Sequence, residues 1–370
     1  MFDFTIEAES GNARAGRIST PHGEIETPIF MPVGTAGSVK TLAPDDLNAV
    51  GAQIILGNTY HLYLRPGHEL ISKAGGLQRF MSWNKPMLTD SGGFQVMSLA
   101  GLRKITDEGV RFQSHLDGSY HMFTPERAIE VQNAIGADIV MAFGECPPYP
   151  ATRTYVENSL QRTLHWVRRC KSAHKKPETQ ALFGIVQGGV YDDLRKISAE
   201  KLIELDFPGY SIGGLAVGEP KEDMYRLTAL LNGILPRRKP RYLMGVGTPQ
   251  DLLEGIHRGI DMFDCVMPTR NARKGSIFTR NGRMVIKAAR YKEDQRPIDE
   301  ECTCYTCRTF SRAYIRHLFA AEELLAMRLA SIHSLHFYLA LMREARVAIR
   351  ENRWESFRNA TLERLNSENV

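Results

Sequence analysis

A chain of 370 residues, 43% hydrophobic and 24% charged, has the composition of a soluble globular protein and the length for two ordinary domains or one large barrel with additions. Its net charge of +5 is unevenly placed: residues 270–370 hold 19 Lys/Arg against 12 Asp/Glu and the rest is slightly acidic, a distribution that suits a polyanion docking on one side. No apolar run of about 18 residues marks a membrane span, and the early acids of "MFDFTIEAES" argue against a secretory leader, so a cytoplasmic protein without a membrane partner is expected.

The first stretch, "FTIEAESGNARAGRISTPHGEIETP", reads as short antiparallel strands joined at Gly turns, a lid on the bottom of a barrel. Eight apolar runs then recur, each ending in or near Gly, Asn, Asp or Pro. They are "PIFMPVG" (28–34), "AQIILGN" (52–58), "PMLTDSGG" (86–93), "ADIVMAFG" (137–144), "ALFGIVQGG" (181–189), "GYSIGGLAVG" (209–218), "RYLMGVG" (241–247) and "MFDCVMP" (262–268). Between most of them lie helical patterns such as "TPERAIEVQNAIG" and "YVENSLQRTLHWVRRCKSAHKK". Unbroken apolar strands alternating with helices indicate a parallel sheet covered by helices, and eight of them suit an α/β fold of the (β/α)8 TIM-type barrel better than an open sheet. No GxGxxG follows the first strand, which weakens a dinucleotide-binding reading. The rhythm breaks over 291–350, where three cysteines crowd together. The expected organisation is a barrel with its N-terminal β lid over 1–290, a zinc-binding subdomain over 291–350, and a C-terminal helix over 351–370 that completes the barrel.

Barrels of this kind carry their chemistry at the C-terminal ends of the strands. The polar residues there are Asn58, Asp90, Ser91, Gln187, the pair Gly213–Gly214 and Asp264, and they are expected to converge on one pocket. Asp264 interrupts the apolar "MFDCV", where an unpaired charge is costly, so a functional role is favoured over a structural one. Asp90, before "SGG", has helix capping as its competing role. If both face the barrel mouth, one can attack a sugar's anomeric carbon while the other serves the leaving group as acid or base. The attacking carboxylate must be ionised, which needs nearby donors; Asn58 and Tyr242 are candidates. After Asp264 the next acid is Glu293, and Arg270, Arg273, Lys274, Arg280, Arg283, Lys287, Arg290 and Lys292 intervene.

Of six cysteines, three stand in "CTCYTC" at 302, 304 and 307, with "SIHSLHFY" about 26 residues later. Three thiolates and one imidazole make a closed tetrahedral zinc site, structural because no position is left for water. Spacing leaves His333 and His336 as alternatives for the fourth ligand. Cys146, Cys170 and Cys265 read as small packing residues.

Together, "TPIFMPVGT", "GNTYHLYLRPG", "MLTDSGGFQ", "IVQGG", "GGLAVGE", "LMGVG", "FDCVMPTR" and "CTCYTC" with His333 resemble the bacterial-type tRNA-guanine transglycosylase family, in family order over nearly the whole chain. The resemblance implies a homodimeric enzyme that replaces guanine at the wobble position of tRNAs with GUN anticodons by 7-aminomethyl-7-deazaguanine, on the route to queuosine. By motif match Asp264 is the nucleophile of a covalent RNA–enzyme intermediate, and Asp90 handles proton transfer and holds the base. The match places Ser91 in the base pocket and Phe94 in stacking contact with the base. Gln187 and the backbone around Gly213, Gly214 and Leu215 read the base's edge, Met244 closes its other face, and Val217 fits the bacterial pattern. Asn58, Gln95 and Tyr242 stand behind the carboxylates. Arg270, Arg273 and Lys274 leave the strand end where anticodon-loop phosphates would lie. The Zn2+ ligands are Cys302, Cys304, Cys307 and His333. One position departs: "MAFGECPPYP" has Gly144 where the family usually reads Asp in "FDEC", with Glu145 expected to point elsewhere. A missing base-reading carboxylate implies weakened guanine binding. It leaves an impaired or inactive RNA-binding relative as the alternative reading.

Overall fold

A computed structural model describes residues 2–99 and 102–367. Eight parallel strands, one from each apolar run, form the centre: Ile29–Met31, Ile55–Gly57, Met87–Thr89, Ile139–Met141, Ala181–Val186, Gly209–Ile212, Arg241–Leu243 and Met262–Asp264. Neighbours in sequence pair in order, the eighth strand pairs with the first, and a bridge between Val33 and Leu56 closes the ring. Helices cross back between successive strands. Pro125–Ile135 starts at a Thr124 cap and stops at the left-handed Gly136, as its sequence expects, and Arg153–Ala173 starts at a Thr152 cap.

Side chains alternate inward and outward along each strand. Ile29, Met31, Ile54, Leu56, Leu88, Ile139, Met141, Phe183, Ile185, Tyr242 and Met262 fill the barrel interior as one buried cluster. Their neighbours Phe30, Ile55, Met87, Val140, Leu182, Leu243 and Phe263 pack outward under the helices. The strands Asp3–Ser10, Ala13–Thr20 and Gly23–Thr27 form an antiparallel sheet whose Ile18 and Ile25 join the interior cluster. Phe2 meets Phe183 edge to face at 5.7 Å, so this sheet plugs the N-terminal end of the barrel, as expected of the lid. Arg14 fastens it: its Nε donates to Asp261 Oδ1 at 2.8 Å, at the foot of the eighth strand.

Two features lie outside the strand–helix rhythm. A three-stranded antiparallel insertion (Arg103–Ile105, Val110–Gln113, Tyr120–Phe123) follows the third barrel strand and leans on the helix Thr59–Leu64, where Tyr60 and Tyr63 hydroxyls meet the Nδ1 atoms of His115 and His121 at 2.9 Å each. The helix Leu324–Arg350 is apolar and long enough to cross a membrane by composition alone, yet most of it is buried in the protein. It carries His333 toward one end and packs on the first barrel strand near the other, where Arg346 Nη1 donates to Pro28 O at 2.9 Å. The last helix, Trp354–Asn366, packs against Pro249–His257.

Candidate active site

Strand parity carries the polar residues to the mouth. Asn58 continues the inward row of Ile54 and Leu56, Asp90 follows Leu88, Gln187 follows Phe183 and Ile185, Met244 follows Tyr242, and Asp264 follows Met262. The sixth strand offers only small residues inward. A Cβ on Gly209 would lie 2.3 Å from the Phe183 ring, and one on Gly213 would lie 2.8 Å from Gln187 Nε2. Gly209 therefore makes room for the Phe183 ring and Gly213 for Gln187, whose Oε1 is buried and unpartnered.

The two carboxylates sit in different settings. Asp90 is 8% exposed and enclosed by four donors: Asn58 Nδ2 at 2.6 Å and Gln95 Nε2 at 2.7 Å to Oδ2, Thr59 N at 2.8 Å and Gly92 N at 3.2 Å to Oδ1. Burial outweighs these bonds and pushes its carboxyl up from 3.8 to about 6. Asp264 receives Tyr242 OH at 2.6 Å and Gly245 N at 2.8 Å, both on Oδ1. Its Oδ2 has no hydrogen-bond partner among the described residues. Burial also raises Asp264, opposed by the Tyr242 hydroxyl and then the Gly245 amide. Tyr242 is held far above its usual range by burial and by the Asp264 charge, with Asp90 contributing too, so it remains a donor. Neither Asp has an ion pair among the described residues.

Around them, Ser91 Oγ accepts from Gly93 N at 3.3 Å, and Phe94 stands 54% exposed at the start of the next helix. Leu215 is buried, Val217 and Met244 are half-buried. The loop that carries Leu215 and Val217 is folded around Glu219, which accepts from Ala216 N and, at 3.0 Å, from Val217 N. The fourth strand breaks parity after Met141. Phe143 turns outward and stacks on Trp166 with centroids 4.9 Å apart. Glu145 is fully buried, ion-paired with Arg162 and accepting from Tyr155 OH at 2.6 Å. Gly144 lies against the Asp90 turn, because a Cβ on Gly93 would come within 2.5 Å of Gly144 O. A Cβ on Gly144 itself would meet Thr163 Cγ2 at 3.0 Å. Burial pushes the thiols of Cys146 and Cys265 up to about 11 each, so neither is a thiolate nucleophile at neutral pH.

A family model described as queuine tRNA-ribosyltransferase matches residues 9–367 of this chain. The chain belongs to the queuine tRNA-ribosyltransferase family. Its relatives include the queuine tRNA-ribosyltransferase of Thermoanaerobacter sp. (strain X514), 62% identical over 94% of this chain and 92% of the relative. That of Caldanaerobacter subterraneus is 59% identical over 95% and 94%, and that of Fusobacterium nucleatum 57% over 98% and 97%.

In this member of the family three cysteines and a histidine outside the barrel strands form a cluster able to hold a metal ion. Ligand atoms of Cys302, Cys304, Cys307 and His333 lie within 4.8 Å of one another. His333 Nε2 is 3.0 Å from Phe278 O, which fixes the tautomer and turns Nδ1 toward Cys307 Sγ at 3.2 Å. A soft set of three sulfurs and one ring nitrogen, with Cys304, Cys307 and His333 buried and Cys302 half-buried, fits zinc in a structural role. His336 instead approaches Cys302 Sγ from outside the set, Nδ1 at 3.5 Å. The helix that brings His333 also sends Tyr338 OH to Gly247 O at 2.5 Å, bracing the loop after the seventh strand. Stripping the metal with a chelator, or Cys307→Ser, should therefore lower the thermal midpoint by roughly 5 °C, the shift that a loss of about 3–5 kcal/mol makes in a chain of this size. A calorimetric scan with and without chelator checks this; an unmoved midpoint rules out a structural metal.

On the short helix Met267–Ala272 and just after it, Arg270 and Lys274 are exposed and Arg273 half-buried. None of the three forms an ion pair among the described residues, and Arg273 Nη1 is buried without a partner. Arg280, farther along the basic run, is by contrast held by Glu344.

Proposed function

We propose that this chain exchanges guanine for a 7-deazaguanine base in tRNA by two displacements at one ribose carbon. Membership of the family supports exchange in tRNA on the way to queuosine. The finer reading is replacement at the wobble position of GUN anticodons by 7-aminomethyl-7-deazaguanine. The observation that carries the mechanism is the unequal setting of the two carboxylates. Asp264 keeps one oxygen free while Tyr242 and Gly245 hold the other, the arrangement of a nucleophile. Asp90, near 6, suits proton transfer at neutral pH. In the first displacement Asp264 Oδ2 bonds to the ribose C1′, and the C1′–N9 pair leaves with guanine, which takes a proton from Asp90. In the second, Asp90 recovers a proton from the incoming base, whose nitrogen displaces Asp264.

The base lies between Phe94 and Met244 with its edge on Gln187, Gly213, Gly214 and Leu215, and with Ser91 and Val217 at the pocket wall. Asn58, Gln95 and Tyr242 fix the carboxylates. Arg270, Arg273 and Lys274 take anticodon-loop phosphates, for which the unpartnered Arg273 donor is suited, so tRNA binding weakens with salt. The metal is zinc, held by Cys302, Cys304, Cys307 and His333. The chain works in the cytoplasm as a homodimer. An aromatic row on the zinc subdomain supports a subunit contact there: half-buried Phe310 stacks on exposed Tyr314 with centroids 5.3 Å apart, beside exposed Tyr305. Mixing the chain with tRNA and trapping a covalent adduct under denaturing conditions tests the proposal; no adduct with any GUN tRNA refutes it and favours the non-catalytic RNA-binding reading.

Gly144 removes an acceptor from the base edge and should leave guanine poorly held, by about 1–3 kcal/mol. Restoring it by Gly144→Asp presses the new Cβ on Thr163 Cγ2. Thr163→Ser removes that methyl and keeps the hydroxyl that accepts from Glu145 N at 3.0 Å. The double variant should incorporate radiolabelled guanine about 10-fold faster than the parent and faster than Gly144→Asp alone; equal rates for all three chains refute a selective role for Gly144.

A further inference from the structure

The helix Asp192–Ile203 carries an arginine where its apolar stripe should be. Arg195 shares its buried face with Ser198, Ala199 and Leu202 and is 0% exposed. A buried guanidinium normally meets a carboxylate, but Arg195 has no ion pair among the described residues. It is spent on backbone carbonyls. Nε donates to Gly189 O at 2.8 Å, Nη1 to Val186 O at 2.9 Å and Gly213 O at 2.7 Å, and Nη2 to Gly214 O at 3.3 Å. These are the turns after the fifth and sixth barrel strands. Ser198, one turn along, accepts from Gln187 N at 3.1 Å, so one helix face grips both loops. Burial lowers the guanidinium to about 10, with the Glu219 charge countering this, so it stays protonated at neutral pH.

A trans peptide points its C=O and the following N–H in opposite directions. With Gly213 O and Gly214 O drawn to Arg195, the N–H groups of Gly214 and Leu215 are turned away from it. Neither makes a hydrogen bond among the described residues. They flank Gln187: a Cβ on Gly214 would lie 2.5 Å from Gln187 Oε1. A buried cation on the carbonyl side also polarises both peptides and makes their N–H groups better donors.

We infer that Arg195 is a positioning residue for the base pocket: it locks the two loops so that the N–H groups of Gly214 and Leu215 form a fixed donor pair for a carbonyl oxygen on the purine-like base. This rests on the base-exchange reading above and extends it to a residue that touches neither base nor RNA. Lysine is the informative replacement, because a point charge cannot fork to four carbonyls.

Arg195→Lys should raise KM for guanine about 10-fold with KM for tRNA within about twofold, whereas a merely structural role would alter both together or only the thermal midpoint. Arg195→Met should be worse for the base and no different for tRNA. In the unmodified chain, which needs no variant to fold, saturating base should slow hydrogen exchange at the Gly214 and Leu215 amides. Unchanged guanine KM in a folded Arg195→Lys, an equal rise in both KM values, or unprotected amides would each overturn the inference. A parent chain that forms no RNA adduct would instead remove the base-exchange reading; a parent that forms it, with any of those three results, removes this inference alone.

Discussion

Asp264→Asn should yield a folded protein that forms no covalent RNA adduct and exchanges base more than about 10^3-fold more slowly, the scale on which a lost nucleophile is felt. The substitution is nearly isosteric. The amide oxygen can accept from Tyr242 OH and Gly245 N as the carboxylate oxygen does, since both bonds fall on Oδ1. The amide nitrogen then occupies the place of the free oxygen, where it cannot form an ester. No buried charge is stranded, because Asp264 has no cationic partner among the described residues to leave behind, and burial already raises its carboxyl, so the thermal midpoint at neutral pH should not fall. Radiolabelled guanine incorporation, a denaturing gel for the adduct and a melting curve read the three effects separately. An adduct that survives in Asp264→Asn would transfer the nucleophile's role to Asp90, which four donors enclose.

The same geometry shows how far the chain's residues announced it. Eight unbroken apolar runs alternating with helices were enough to expect the barrel and to bring Asn58, Asp90, Gln187 and Asp264 to one mouth. The aim of these side chains follows strand parity, a local property that a barrel preserves. It fails where the backbone slips. In "MAFGEC" the outward turn of Phe143 onto Trp166 is a tertiary event, and with it goes the neighbour of Gly144, Thr163, on another helix. The three-stranded insertion after the third strand lacked the apolar runs that marked the others, its middle strand alternating as Val110, Arg111, Phe112, Gln113. Arg195 was the least legible. An arginine in a helix reads as solvated, and the only local hint is its place on the stripe with Ser198, Ala199 and Leu202. What it binds is set by two loops that meet only when the fifth and sixth strands pair. The choice between His333 and His336 likewise needed the helix's rotation, which points one ring at Cys307 and leaves the other beside Cys302.

Asp90→Asn should cost about 10^2- to 10^4-fold in exchange, the worth of a positioned acid–base group, and yet stabilise the fold at neutral pH. Burial raises the folded carboxyl from 3.8 to about 6, so the unfolded chain gives up this proton at lower pH than the folded one. Between about pH 4 and 6 the native state binds more protons, and unfolding free energy attributable to Asp90 falls as pH rises, by about 3 kcal/mol in all, then stays level above 6. Asparagine carries no charge to desolvate. It can keep Thr59 N and Gly92 N on its oxygen, while its nitrogen faces Asn58 and Gln95, whose amides can rotate to present oxygen; Gln95 Oε1 has no partner at present. The difference in stability between variant and parent, in which other carboxylates cancel, should therefore be near zero at pH 4 and grow to about 2–3 kcal/mol in favour of the variant by pH 7. Chemical denaturation of both chains across that range measures it. A difference that stays flat with pH would mean that Asp90 is ionised at its ordinary pKa in the folded state. It would then be too weak a base to recover the proton of the incoming ring, and the assignment of acid–base work to this residue would fall.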